Sequence, residues 1–306
     1  MKEIALALGG GGVKGIAHLG VIRRLEKEGF TIRAISGTSA GGMIGAVVAA
    51  GYSTNQIIDV LRQLDPARLF NRQSGDGPSL LGLQGVSQAL VNLLDGRDYS
   101  DLKIPFACTA VDIDGAQEII LTEGPVIEAV MATIAFPGIF PPKKIRGLAL
   151  VDGGVLDPVP VALARWLAPS LPVIAVCLTP VPEGWAQMSD FHLPQANPIA
   201  APLLEQFSKM RIGQAFNIFA RSMETTSRML SELRLQIDHP DVIVRPDVER
   251  YGILDTADVD DLIQQGELAM EQALPEIARL HTLALQIGRR FQRTELHGKV
   301  IRLNKK

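Results

Sequence analysis

The chain has 306 residues, 47% hydrophobic and 21% charged, which supplies a large buried core and excludes wholesale disorder. A formal net charge of −3 and an aromatic content of 5% exclude a nucleic-acid surface spread over the molecule and a base-stacking platform, so no nucleic-acid partner is expected. The charge is uneven, because residues 288–306 hold seven Lys/Arg and one Glu, a net of +6.

Ile4–Leu8 is a continuous apolar run, the signature of a parallel strand buried on both faces. It leads into a glycine-rich loop, residues 9–15, and then a helical pattern through Ile16, Leu19, Ile22 and Leu25 that stops near Gly29. A second strand, 31–36, precedes Gly37-Thr38-Ser39-Ala40-Gly41 and a helix over 41–50 that is apolar all round, hence buried. An amphipathic helix follows at 54–64, ended by Asp65-Pro66, and the polar stretch 71–85 reads as a surface loop. Residues 86–94 are helical. Strands at 104–112 and 117–121 flank Asp114-Gly115, a hairpin signal. A helix over 124–133 ends before the rigid apolar loop 136–142. The strand 148–151 then delivers Asp152-Gly153-Gly154 at its C-terminal end. A helix at 159–167 and a strand at 172–178 add a further α/β step, and 182–198 is irregular. A long helix or helix pair spans about 200–236. Its apolar stripe of Leu203, Phe207, Met210, Phe219, Met223, Leu230, Leu233 and Ile237 reads as core packing. A last strand lies at 241–245, and 256–285 is helical.

Cys108 and Cys177 lie in apolar strands and read as buried free thiols, which fits a reducing compartment. The N-terminal residues lack the length and cleavage site of a signal peptide, and no apolar run reaches about 18 residues. The expectation is a cytoplasmic protein, at most peripheral to the inner face of a membrane. The basic tail 288–306 is read chiefly as a solvated terminus, with contact to an anionic bilayer as its alternative.

Gly37-x-Ser39-x-Gly41 between a strand and a helix is the pattern of a nucleophile elbow. A serine hydroxyl is a poor nucleophile without a nearby base. Serial backbone N–H groups beside a helix N-terminus, as residues 9–15 offer, form a natural oxyanion hole. Gly10, Gly12 and Gly15 also match G-x-G-x-x-G, the dinucleotide fingerprint, but Ile35-Ser36-Gly37 stands where that motif needs a carboxylate. Lys14 is most simply a solvated helix residue, with a phosphate contact as the sharper reading. His18 reads as a packing residue. His239 and His297 follow Asp152 as the histidine of an α/β-hydrolase triad would, but one stands in a turn and the other in the tail. No His/Cys cluster has metal-ligand spacing, and neither metal nor cofactor is expected.

Gly10-Gly11-Gly12-Val13-Lys14-Gly15, Gly37-Thr38-Ser39-Ala40-Gly41, Asp152-Gly153-Gly154 and the segment 132–141 together resemble the patatin-like phospholipase family over about residues 3–180. The resemblance implies a three-layer α/β/α sandwich around a mainly parallel sheet, forming one domain with a helical part at 200–287. It implies a dyad of Ser39 as nucleophile and Asp152 as base, with Gly10, Gly11 and Gly12 as the oxyanion hole. Lys14 fits a position where the family accepts Arg or Lys. Thr133 and Asp157 depart from the family's usual Ser and Asn, at positions without a chemical role. The implied activity is a serine acyl hydrolase acting on phospholipid or lysophospholipid esters. Two rival readings stand beside it: a nucleotide- or acidic-ligand-binding module using the glycine loop, and a non-catalytic scaffold of the same fold.

Overall fold

A computed structural model describes residues 2–182, 211–256, 258–280 and 295–303. In chain order the elements are β1 (Lys2–Leu8), α1 (Ala17–Lys27), β2 (Phe30–Gly37), α2 (Ala40–Ala49), α3 (Thr54–Gln63), α4 (Gln84–Leu94), β3 (Phe106–Asp112), β4 (Gln117–Glu123) and α5 (Val126–Thr133). There follow β5 (Lys143–Ile145), β6 (Leu148–Asp152), α6 (Val161–Leu167), β7 (Val173–Val176), α7 (Arg211–Asp238), β8 (Val242–Val244), α8 (Val259–Arg279) and β9 (Lys299–Arg302).

The strands form one nine-stranded sheet with the backbone order β5-β6-β3-β2-β1-β7-β8, and β4 and β9 leave it from β3. Pairings within β3-β2-β1-β7-β8 are parallel, as is β4–β9, while β3–β4, β3–β6 and β5–β6 are antiparallel. The expected mainly parallel sheet is therefore present.

The side chains of β1 explain the three layers. Ile4, Leu6 and Leu8 enter a large core shared with α1, α2 and α8, while Ala5 and Ala7 face a smaller core with Val161 and Ala164 of α6. Small residues continue on that second face as Ala34 and Ala175, which lets α6 lie close against the sheet. Both faces of the central strands are covered, as a parallel sheet requires.

Three expectations are corrected. The short strand β5 was not anticipated, since three residues beside a glycine turn carry no periodicity. Residues 295–303 of the basic tail are not a loose terminus: β9 pairs in parallel with β4 and Leu303 is buried, because the apolar side chains interleaved with the basic ones complete a sheet edge. Residues 288–294 and 304–306 lie outside the described residues.

The third correction concerns α7. Its inward face is only in part the apolar stripe: Phe219, Leu233 and Ile237 are exposed, Met223 and Leu230 are half-buried, and the buried residues include Ala220, Glu224, Arg228, Ser231, Leu235 and Asp238. These recur every three or four residues, so the helix does bury one face, and polar residues occupy most of it because they find partners there. Leu203, Phe207 and Met210 lie outside the described residues.

Candidate active site

One strand edge brings the two halves of the site together. β4 occupies one edge of β3 along Cys108–Asp112, so β2 and β6 must share the other. β2 pairs parallel with Phe106–Cys108 and ends at Gly37, opposite Cys108. β6 pairs antiparallel with Ala110–Asp112 and ends at Asp152, opposite Ala110. Two C-terminal strand ends therefore meet head-on across Thr109. Its hydroxyl lies 2.8 Å from that of Thr38, whose Oγ1 donates to the Asp157 carbonyl at 2.8 Å. A side chain on Gly153 would put its Cβ 2.1 Å from Thr109 Oγ1, so glycine is needed for this approach.

Ser39 sits at the turn between β2 and α2 with φ 53° and ψ −123°, a strained conformation for a residue with a side chain. Close packing of strand on helix maintains it: a Cβ on Gly41 would lie 2.1 Å from the Leu8 carbonyl, and one on Gly37 would lie 2.5 Å from the Gly41 carbonyl. The elbow expected from the sequence is present in this geometry. The Ser39 N–H donates to Thr133 Oγ1 at 2.9 Å. Thr133 thus braces the strained turn, a contact that the sequence reading missed.

Ser39 Oγ donates to Asp152 Oδ2 at 2.5 Å, and the Gly154 N–H donates to Asp152 Oδ1 at 2.8 Å. Asp152 is 3% exposed. Burial pushes its carboxyl up to about 6, against the lowering effect of the hydrogen bonds from Ser39 and Gly154. Desolvation thus raises the basicity of the carboxylate that accepts from the serine.

The glycine loop runs beside this pair as a turn of 3₁₀ helix, Gly12–Ile16. The Gly10 N–H donates to the Pro158 carbonyl at 3.0 Å, whereas the N–H groups of Gly11 and Gly12 have no such backbone bond among the described residues. Gly12 has φ +60°, and a Cβ there would lie 2.1 Å from the Ile253 carbonyl. Gly15 abuts Ala40 at the start of α2, which ties the loop to the elbow. Lys14 is not solvated: it is 4% exposed, and burial lowers the pKa of its ammonium. Periodicity alone places a lysine outside, and here Lys14 lines a cavity together with Glu224 and Arg228 of α7 and with Ile253.

Ser39 lies where two cavities meet. One, of about 230 Å³, is almost wholly apolar and is lined by Met43, Val47, Leu61, Phe70, Leu90 and Phe140, among others. The other, of about 70 Å³, is lined by Gly10, Gly11, Gly12, Lys14, Asp152, Glu224, Ser227 and Arg228. The apolar loop 136–142 supplies Phe136 to both and Ile139 and Phe140 to the first.

The three described histidines stand elsewhere. His18 is fully buried with Nε2 2.8 Å from the Gly9 carbonyl, and burial pushes its pKa down to about 4, so it packs as a neutral ring. His297 Nε2 lies 3.1 Å from Asp238 Oδ1, and His239 presents its backbone carbonyl to Arg165; neither lines a cavity at Ser39. Among the described residues no group of three His, Cys, Asp or Glu could hold a metal ion. Cys108 and Cys177 are buried free thiols, as expected.

Asp157 is 2% exposed and its Oδ1 has no partner. Burial, together with the neighbouring Glu118 and Asp238 and despite Arg234, holds its carboxyl well above the usual carboxylate range. A protonated Asp157 is a neutral near-isostere of asparagine. A carboxyl raised in the folded state contributes stability at low pH that is lost as pH rises through the folded value. Asp157→Asn cannot ionise, so it is expected to raise Tm, and to do so more at pH 9 than at pH 5. A lower Tm at both pH values in thermal unfolding would contradict that account.

Strained serine elbows above parallel sheets occur in hydrolases, and the comparisons with known proteins place the chain in that class. The model of the patatin-like phospholipase family matches residues 6–165, just over half of the chain, and the chain belongs to that family. An uncharacterized NTE family protein of Mycobacterium tuberculosis is 35% identical over 169 residues, covering 52% of this chain and 45% of that protein. The lysophospholipase NTE1 of Pyricularia oryzae is 24% identical over 282 residues, covering 87% of this chain and 18% of the fungal protein. The chain thus spans half or less of the length of these relatives. VipD from Legionella pneumophila superposes with a TM-score of 0.47 at 13% identity, covering 91% of this chain and 67% of that one. No described helix is long and apolar enough to cross a membrane.

Proposed function

We propose that the chain is a serine acyl hydrolase of lipid carboxylic esters, of the phospholipase A or lysophospholipase type, with Ser39 as nucleophile and Asp152 as base. The observation that carries this reading is the Ser39 hydroxyl donating to a desolvated aspartate while Ser39 lines an apolar cavity of about 230 Å³. Ser39 Oγ attacks the ester carbonyl carbon while its proton passes to Asp152. The bond to the alcohol then breaks, and Asp152 returns the proton to the leaving oxygen. Water attacks the acyl-Ser39 ester and gives its proton to Asp152; the fatty acid leaves and Ser39 is reprotonated. The N–H groups of Gly11 and Gly12 support the oxyanion of each tetrahedral intermediate. The relatives' family names favour a lipid ester over a nucleotide, and the intact Ser39–Asp152 pair counts against a silent scaffold.

The test is mass spectrometry of products from a mixed phospholipid and lysophospholipid extract. Free fatty acid should accumulate with the native protein and not with Ser39→Ala. Nucleotide binding without fatty-acid release would favour the binding-module reading instead.

The apolar cavity is assigned to the acyl chain. Val47, on α2, lines it and is 2% exposed. Val47→Phe fills part of the cavity, so kcat/KM for a hexadecanoyl ester should fall roughly tenfold or more while a butanoyl ester is affected far less. Equal losses for both chain lengths would mean that the acyl group binds elsewhere.

A further inference from the structure

The inward face of α7 is charged where it meets the site. Glu224 and Arg228, 9% and 4% exposed, line the small cavity together with Ser39 and Asp152. Arg228 Nη2 donates to Glu224 Oε1 at 2.6 Å, one turn earlier on the helix, and this pair fixes the guanidinium. Arg228 Nε is buried with no partner. A buried charged donor without a protein acceptor is costly, and water or a ligand must meet the guanidinium's remaining donors.

Lys14 lines the same cavity. Its ammonium is destabilised by burial and by Arg228, and supported by Glu224. Asp255 and Glu249 act on it more weakly, and Asp255 lines the apolar cavity instead, with its carboxylate accepting the Gly252 N–H. Two buried cations therefore face two buried carboxylates, and both carboxylates already have partners: Glu224 accepts from Arg228, and Asp152 accepts from Ser39 and Gly154. The cavity of about 70 Å³ has room for on the order of five waters at the ~10–15 Å³ that each requires, which is the heavy-atom count of a phosphate group, one phosphorus and four oxygens.

Ser39 stands between this cavity and the apolar one, so with the acyl chain in the latter the alcohol leaving group points into the former. We propose that Arg228, steered by Glu224, selects phosphate-bearing leaving groups: its guanidinium, with Lys14, takes the phosphate oxygens of a lipid whose acyl chain fills the apolar cavity. This inference rests on the acyl-hydrolase reading of Ser39. Guanidinium–phosphate bonds are charge-assisted, and the glycerol backbone places the phosphate only a few bonds from the ester oxygen, within reach of a group beside the serine.

The test compares 1-oleoyl lysophosphatidate with 1-oleoylglycerol, which differ by the phosphate alone. Two variants are needed: Arg228→Gln, and the double variant Glu224→Gln with Arg228→Gln, which keeps a hydrogen-bonded amide pair and leaves no lone buried carboxylate. The ratio of kcat/KM for the phosphate substrate to that for the neutral one should fall about 10–100-fold in either folded variant. An unchanged ratio, including equal losses on both substrates, overturns the inference. A second arm measures sn-glycerol 3-phosphate binding to Ser39→Ala protein by calorimetry, which should detect binding that Arg228→Gln abolishes. Binding that Arg228→Gln leaves intact overturns the assignment to Arg228. If the native protein hydrolyses neither ester yet binds glycerol 3-phosphate through Arg228, the hydrolase reading fails and a site for a free phosphorylated ligand remains. If it hydrolyses both esters without preference and binds no glycerol 3-phosphate, the inference fails and the hydrolase reading stands.

Discussion

Ser39→Ala and Asp152→Asn are each expected to lower kcat/KM for a lipid ester by about 10⁴-fold, and the double variant should be no worse than either alone. The non-additivity follows from the proposed dyad: Ser39 Oγ donates to Asp152 Oδ2 at 2.5 Å, and a nucleophile without a base, or a base without a nucleophile, leaves only what binding and the oxyanion donors supply. Steady-state kinetics on folded variants checks this, and full activity in either would contradict the dyad.

Asp152 adds a pH signature. The base must be ionised, and burial places its pKa at about 6, so kcat/KM should fall tenfold per unit below about pH 6 and level off above it. The same shift has a stability consequence of opposite sense. A carboxyl raised in the folded state contributes stability at low pH that is lost as pH rises through about 6, so ionised Asp152 weakens the fold at neutral pH. Asp152→Asn should therefore be the more stable protein at pH 8, by on the order of 1–3 kcal/mol, with the difference disappearing below about pH 4. An inactive variant that is more stable than the native chain separates a functional loss from misfolding.

The second large effect is expected at Gly12. Gly12→Ala places a Cβ about where the Ile253 carbonyl now lies, 2.1 Å away, at φ +60°, so the loop must shift and carry its N–H out of place. Loss of one oxyanion donor typically costs about 10²–10³-fold in kcat. KM should change much less, because the loop's amides matter most once the carbonyl oxygen has become an anion. The left-handed backbone adds a stability loss of roughly 1–2 kcal/mol. An effect confined to KM would mean that the loop serves substrate binding alone.

Apart from β5, the order of elements through α6 was legible in the sequence because each rests on a local signal. Ile4–Leu8 is a doubly buried strand, the spacing of Gly37, Ser39 and Gly41 marks a turn, and Asp152-Gly153-Gly154 follows an apolar run. The meeting of Ser39 with Asp152 depends on something non-local, two strands sharing one edge of β3, and no periodicity encodes it. Resemblance to a family stood in for that step. The burial of Lys14, Glu224 and Arg228 was not legible for a related reason. Helical spacing shows that α7 has a face to bury, but charged residues are assigned outward unless their partners are known, and those partners lie on the glycine loop more than 200 residues earlier or one turn away on the same helix. β9 escaped notice because four residues with lysine and arginine at the ends look like a solvated terminus until β4 offers an edge.

The most direct measurement is peptide mapping by mass spectrometry after reaction of the folded protein with an alkyl fluorophosphonate, a reagent that captures an activated serine. A Ser39 nucleophile predicts a single adduct on the peptide carrying Ser39, loss of ester hydrolysis in proportion to labelling, and slower labelling below about pH 6 as Asp152 takes up a proton. A protein that hydrolyses lipid esters while Ser39 remains unmodified, or that is labelled and inactivated at another residue, would contradict the assignment.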